Sequence, residues 1–239
     1  MDVAFLVDAS GSVGAANFDK QKEFIKAVAS TLGLRSGLAR AGSLVYSDMA
    51  TVQQSFKSCN GTSSVMEAVN RIPYYGRTTR IDRALSLANT ALFSAAGGVR
   101  SYVANTLVLV TDGRQTPAPD SISMERAVKP LKDKKVARIA LGIGNQINPS
   151  ELRRVVDGEE DIVTVDSFDD LYSSSYLVSK KLCARAGESL FLENNANNGH
   201  CDNKIFRAFA IALSLHLGLA YNPLDISFKG LSLFRISHW

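Results

Sequence analysis

Histidine is nearly absent from this chain of 239 residues: there are three, at positions 200, 216 and 238, all near its end. The body of the chain therefore offers no partner for a Ser-His-Asp triad. Cysteine is as scarce, with Cys59, Cys183 and Cys201 only. There is no CxxC pair and no Cys/His cluster, and Cys201 beside His200 makes two adjacent ligands rather than a zinc site. The formal charge of +4 comes without any Lys/Arg block or basic-aromatic ladder, which argues against a nucleic-acid partner. "GIG" at 142–144 lacks the third glycine of a dinucleotide fingerprint and reads as a tight strand exit. No repeat of solenoid period is present. A secretory leader is missing too: Met1 runs straight into an apolar stretch. The expectation is either an intracellular protein or a chain trimmed at its amino end.

Apolar material is plentiful. Hydrophobic residues make up 46% and charged residues 21%, enough to bury a sizeable core. Apolar runs and helical periodicities alternate, the pattern of a mostly parallel sheet wrapped by helices. Strands are expected at 3–7, 41–46, 50–56, 106–110, 136–143 and 162–165, with 41–46 and 50–56 forming a hairpin over Ser47 and Asp48. Helices are expected at 17–32, 63–72, 81–93, 123–132, 150–156 and 169–182. Pro130 threatens to kink or end its helix, and Ser150 reads as an N-cap. The domain is placed at 1–186. Residues 187–239 read as an extension: a polar loop, then an apolar segment at 205–221 that holds Arg207 and His216. Membrane contact by that segment is not expected.

Two strands end in acids. "VAFLVDASGSVG" (3–14) delivers Asp8, then Ser10 and Ser12; "VLVTDG" (108–113) delivers Asp112. In an open α/β sheet, ligands bind at the carboxyl ends of strands beside a topological switch point. If these two strands are neighbours, both carboxylates and both hydroxyls face one crevice, and Thr79 in the loop "YYGRTTRID" (74–82) adds a third hydroxyl. Such oxygens suit Mg²⁺, with Mn²⁺ or Ca²⁺ as alternatives, and disfavour zinc. Neutral hydroxyls leave the cation electrophilic and open to an external carboxylate. Rival readings are a serine helix cap, which leaves Thr79 and Asp112 unexplained, and an acyl-phosphate nucleophile at Asp8, where Ser10 stands in place of the needed second acid. Asp48 and Asp82 read as a turn residue and a helix-start acid, with a place at the metal rim as the alternative for either.

The motifs "DASGS" (8–12), "TTRIDRAL" (78–85) and "VLVTDG", with "RAGSLVYSD" (40–48) and "ALGIGNQINPSEL" (140–152), resemble the von Willebrand factor A domain, also called the integrin I domain. In style they are nearest to the extracellular matrix A-domains of matrilins and collagen VI. The resemblance implies a doubly wound, mostly parallel central sheet with one antiparallel edge strand and helices on both faces. It implies a metal-ion-dependent adhesion site at Asp8, Ser10, Ser12, Thr79 and Asp112, with the hydroxyls touching Mg²⁺ and the aspartates acting directly or through water. A partner's Asp or Glu would complete the shell. Counting back from Ala84-Leu85 places the threonine at Thr79, with Thr78 as the alternative. "GR" at 76–77 departs from the usual glycine pair. The family also couples metal engagement to a shift of its last helix, here 169–182.

These readings make the chain a non-enzymatic, secreted or cell-surface adhesion module whose ligand is collagen or another matrix protein. The alternative is a structural component of the matrix, a mineralised one included, that self-associates without metal. Asn60 in "NGT" is a candidate glycosylation site. In matrix A-domains a cysteine placed like Cys183 commonly pairs with one before the first strand. Met1 and Asp2 leave no room for it, which supports a trimmed start. Pairing among Cys59, Cys183 and Cys201 stays open.

Overall fold

The computed structural model describes residues 1–34, 39–59 and 61–191, with backbone only for 187–191. Asn60, Cys201 and the apolar segment 205–221 lie outside the described residues.

The described strands are β1 (Asp2–Asp8), β2 (Arg40–Tyr46), β3 (Ala50–Gln54), β4 (Asn105–Thr111), β5 (Ala137–Ile143) and β6 (Ile162–Val165). They form one sheet in the order β3-β2-β1-β4-β5-β6. Every pairing is parallel except β2 with β3, the expected hairpin. The helices are α1 (Ala15–Thr31), α2 (Thr62–Asn70), α3 (Ile81–Leu87), α4 (Met124–Asp133), α5 (Pro149–Val155) and α6 (Leu171–Phe191).

Alternation along β1 explains why it is apolar throughout. Val3, Phe5 and Val7 pack on one face with Phe24, Ile25 and Val28 of α1 and Val178 and Leu182 of α6. Ala4 and Leu6 pack on the other with Leu85 of α3 and Val128 and Leu131 of α4. A central parallel strand covered on both sides has no face left for polar residues. Its neighbours are β2 on one side and β4 on the other, so the chain reverses its winding direction between β1 and β4. The two acid-tipped strands are therefore adjacent, with Val7 opposite Val110.

Several boundaries differ from expectation for identifiable reasons. Ser150 is not the cap of α5. Asn148 is, its side chain accepting from the Ser150 amide at 3.1 Å, because Pro149 fills the first helical position and needs no partner for a missing N–H. The stretch 81–93 is not one α-helix: it passes into a π-turn at Ala88–Leu92. Pro130 does not stop α4, which continues to Asp133. So late in a helix it forfeits little, and fully buried Leu131 holds the last turn to the core. The final helix runs from Leu171 to Phe191, past its expected end at 182. No described helix is long and apolar enough to cross a membrane. Cys59 carries a free thiol, while Cys183 is disulfide-bonded.

Candidate metal centre

At the switch point the chain leaves β1 through Ala9 to Gly14 and enters α1. Gly14 has φ +72°, a left-handed turn that glycine adopts without strain, and it reverses the chain into the helix. The loop folds back so that the Ser10 amide donates to Asp8 Oδ1 at 2.9 Å. The Ser10 and Ser12 hydroxyls lie 3.2 Å apart, and Ser12 Oγ donates to Asp112 Oδ1 at 2.9 Å. Four of the five expected residues are thereby linked in one hydrogen-bonded chain.

Thr79 joins them from a third loop. Gly113, just after Asp112, shows how closely: a Cβ there would stand 3.7 Å from Ser12 Oγ and 3.8 Å from Thr79 Oγ1. The two hydroxyls thus converge beside Asp112, over a position that glycine leaves open. Thr79 is buried, whereas Thr78 is exposed. Thr79 is held by its backbone, donating to Thr116 Oγ1 at 3.1 Å and accepting from the Thr116 amide at 2.8 Å. Ser47, at the end of β2, secures the same loop. It accepts from the Arg77 and Arg80 amides and donates to the Thr78 carbonyl.

Asp8 is fully buried and Asp112 is 6% exposed. Neither forms an ion pair with any described residue. Asp8 Oδ2 accepts from Thr111 Oγ1 at 2.7 Å and lies 3.2 Å from the Tyr46 hydroxyl. Gln21 Nε2 donates to the Asp8 carbonyl at 3.0 Å. Desolvation pushes the Asp8 carboxyl up from 3.8 to about 6, only partly offset by hydrogen bonds from Ser10 and Thr111. Desolvation raises Asp112 as well. Burial and then the Asp8 charge push the Tyr46 phenol well above its ordinary value, so it remains a neutral donor.

The donor set can be tested against a cation on these grounds. Among the described residues no three His, Cys, Asp or Glu side chains gather, so soft or nitrogen-rich coordination is not on offer. What gathers is oxygen: two carboxylates and three hydroxyls, the set that hard divalent ions take. Two acids kept in low dielectric without a counter-charge are costly unless a cation joins them. Ser12 is exposed, so the cluster opens to solvent on one side. The residues fit a divalent cation with room for an outside ligand.

Sequence reasoning missed the supporting shell. Thr111 sits inside a quoted motif yet had no role. Tyr46 lies opposite Asp8 in the β1–β2 register, and a polar-tipped aromatic at a strand end was the available signal. Asp82 is not at the cluster. It is 2% exposed, paired with Arg80 at 2.8 Å, and accepts from Gln115 Nε2 at 2.6 Å and the Ile122 amide at 3.1 Å. Burial opposes its charge, but the Arg80 and Gln115 donors prevail and hold its carboxyl below the ordinary value. It straps the loop after β4 to the start of α3 and so fixes Thr79 relative to Asp112. Asp48 is the turn residue expected, with an exposed pairing to Arg77 at 3.3 Å.

Comparison with known proteins shows the family. The model of the von Willebrand factor type A domain matches residues 2–175. Integrin alpha-X of Mus musculus is 28% identical over 192 residues, which cover 78% of this chain and 16% of that protein. The collagen alpha-1(XX) chain of Homo sapiens is 30% identical over 186 residues, covering 77% of this chain and 14% of its own length. The chain thus spans a small part of the relatives it matches. Proximal thread matrix protein 1 from the mussel byssus superposes with a TM-score of 0.70 at 22% identity, covering 76% of this chain and 47% of that one. A further structure of that mussel protein is described as having a zinc-occupied MIDAS motif.

Proposed function

Because the chain belongs to the von Willebrand factor type A domain family, we propose that its centre is a metal-ion-dependent adhesion site, which binds an acidic residue of an extracellular protein. The observation that carries this reading is the pair of buried carboxylates, Asp8 and Asp112, joined to Ser10 and Ser12 and without a cationic partner among the described residues. Ser10, Ser12 and Thr79 would hold the ion through hydroxyls, with Asp8 and Asp112 supplying charge. A divalent cation there supplies Lewis acidity toward one further oxygen ligand. Three neutral donors leave that acidity largely unquenched, which is the physical reason for hydroxyls where a tighter site would use acids. An all-oxygen set favours Mg²⁺ over Zn²⁺, with Mn²⁺ and Ca²⁺ as alternatives.

The function is binding rather than catalysis. The relatives are integrin and collagen chains, which supports this reading and an extracellular location. Collagen is the first ligand to try. Capture of the domain on immobilised collagen and other matrix proteins, in Mg²⁺ and in EDTA, tests the reading. Binding in Mg²⁺ that EDTA removes, and that Asp112→Ala removes without unfolding the domain, is the expected result. Equal capture in both buffers sinks it. Concentration-dependent self-association indifferent to EDTA would instead support a matrix-assembly role, which the name of the mussel matrix protein favours.

A further inference from the structure

The loop that carries Thr79 is stitched to the loops on both of its sides by the protein alone. On one side the Gly76 amide donates to the Ala9 carbonyl at 2.8 Å and the Gly11 amide donates to the Arg77 carbonyl at 2.7 Å, which makes a parallel bridge between Ser10 and Arg77. On the other side it meets the loop after β4 in a ladder of two rungs. Thr79 and Thr116 form the first, exchanging hydrogen bonds at 3.1 and 2.8 Å. Asp82 and Gln115 form the second: the Asp82 amide donates to Gln115 Oε1 at 3.1 Å, and Gln115 Nε2 donates back to Asp82 Oδ1 at 2.6 Å. The Gln115 amide donates in turn to Glu151 Oε2 at 2.9 Å, and Glu151 Oε1 accepts from Asn148 Nδ2 at 3.1 Å. The ladder is thereby tied to the start of α5.

Its rungs stand next to the cluster in the chain. Thr79 is itself part of one, and Gln115 and Thr116 follow Asp112 within four positions. Pro117 and Pro119 fix φ just beyond, so the loop has little freedom to drift. The oxygens of all three loops are therefore placed by hydrogen bonds that need no ion. Such a cage cannot widen freely. Mg²⁺ demands near-octahedral ligands at about 2.1 Å, whereas Ca²⁺ accepts more ligands, in looser geometry, at about 2.3–2.6 Å. Selection between the two rests on the size and stiffness of the cage.

We propose that Gln115 and Thr116 are positioning residues that set the ion selectivity of the centre, favouring Mg²⁺ over Ca²⁺ by holding Thr79 in fixed register with Asp112. This rests on the metal-site reading above and narrows the choice of ion which that reading leaves open. Neither residue belongs to the five-residue cluster; both act through Thr79 and Asp112. A loosened ladder lets the cage relax around the larger ion and robs the smaller one of its tight shell, so the two affinities should part company. A merely structural ladder would move them together.

Calorimetric titration of the full chain with Mg²⁺ and with Ca²⁺ tests this, read as the ratio of the two dissociation constants. The wild type should prefer Mg²⁺. Thr116→Val keeps the side-chain shape but loses the acceptor for the Thr79 amide, and should weaken Mg²⁺ about tenfold and Ca²⁺ less than about twofold. Thr116→Ser keeps the oxygen and should restore the wild-type ratio. Gln115→Met removes the second rung; it should shift the ratio in the same direction and, in the metal-free protein, speed amide exchange at Thr79 by NMR. Thr31→Val, at the far end of α1, removes a buried bond of 2.7 Å to Ser179. It should lower stability in urea and leave the ratio as it was. The inference falls, and the metal site stands, if the wild type prefers Ca²⁺, if Thr116→Val weakens both ions equally or neither, if Thr31→Val shifts the ratio as much, or if Gln115→Met leaves Thr79 exchange unchanged. If the wild type binds neither ion, the metal-site reading falls and takes this inference with it.

Discussion

Strand β1 carries an aspartate at each end, and both are fully buried. At the amino end, Asp2 is met by Arg100, whose Nε and Nη2 donate to Oδ1 at 3.0 and 2.7 Å and whose amide donates to Oδ2 at 2.8 Å. At the carboxyl end, Asp8 receives only neutral donors from Ser10, Thr111 and Tyr46. One strand thus holds a complete ion pair and an incomplete one under the same burial. A carboxylate with its own arginine ties the fold together. A carboxylate without one is expensive to the bare fold and useful when a cation arrives. The difference separates an acid kept for structure from an acid kept for binding, a distinction that burial alone does not make.

Substitutions at the two ends should break the comparison in opposite ways. Asp2→Ala leaves the Arg100 guanidinium largely buried without its partner, and should cost about 3–5 kcal/mol in urea unfolding, with or without divalent ions. Saturating Mg²⁺ should raise wild-type stability by about 2.7 kcal/mol at a hundredfold excess over its dissociation constant, seen as a higher melting temperature. That gain should vanish in Asp8→Asn and persist in any Asp2 variant that still folds. In the metal-free protein, Asp8→Asn should stabilise rather than destabilise at pH 7, by up to about 3 kcal/mol, since it removes a desolvated charge.

The same inequality predicts a pH dependence. The Asp8 carboxyl titrates near 3.8 when unfolded and at about 6 when folded. Between those values the folded state binds more protons. Metal-free stability should therefore fall as pH rises from about 4 to about 6, by about 3 kcal/mol in total, and level off above. Stabilisation by Mg²⁺ should grow over the same window, because proton and cation compete for Asp8. A metal-free protein whose stability does not fall through that window would mean that Asp8 is not a desolvated, uncompensated acid. The smallest effect sharpens the third loop. Thr79→Ala should weaken Mg²⁺ about tenfold by calorimetry, roughly 1.4 kcal/mol, while Thr78→Ala leaves it unchanged.

Much of this was legible before the structure. Apolar runs ending in Asp8 and Asp112 carry both sheet position and chemistry, because each acid stands at the carboxyl end of its buried strand, where open α/β sheets bind ligands. The hairpin of β2 and β3 was readable from its turn. What the sequence hid was long-range or cooperative. Thr111 and Tyr46 acquire roles only through the lateral register with Asp8, which no local pattern encodes. Asp82 resembles a helix-start acid and proves to be the anchor of a distant loop, since its partners Gln115 and Ile122 lie beyond β4. Ser150 has the right chemistry for a cap, but Pro149 moved the cap back to Asn148. The π-turn at Ala88–Leu92 keeps its apolar spacing and so looks like plain helix in sequence.

The adjacency of β1 and β4 also sets when the centre can exist. Ser12 and Asp112 meet across 100 positions of chain, so their contact closes one of the long loops of the fold. No isolated hairpin or helix can assemble the cluster. A chain still emerging from the ribosome holds nothing for a divalent ion to grip until its fourth strand has docked. Such an ion, meeting only the finished protein, acts as a latch fitted after the door has closed. It should lengthen the lifetime of the folded state in stopped-flow unfolding and leave the rate of folding almost untouched.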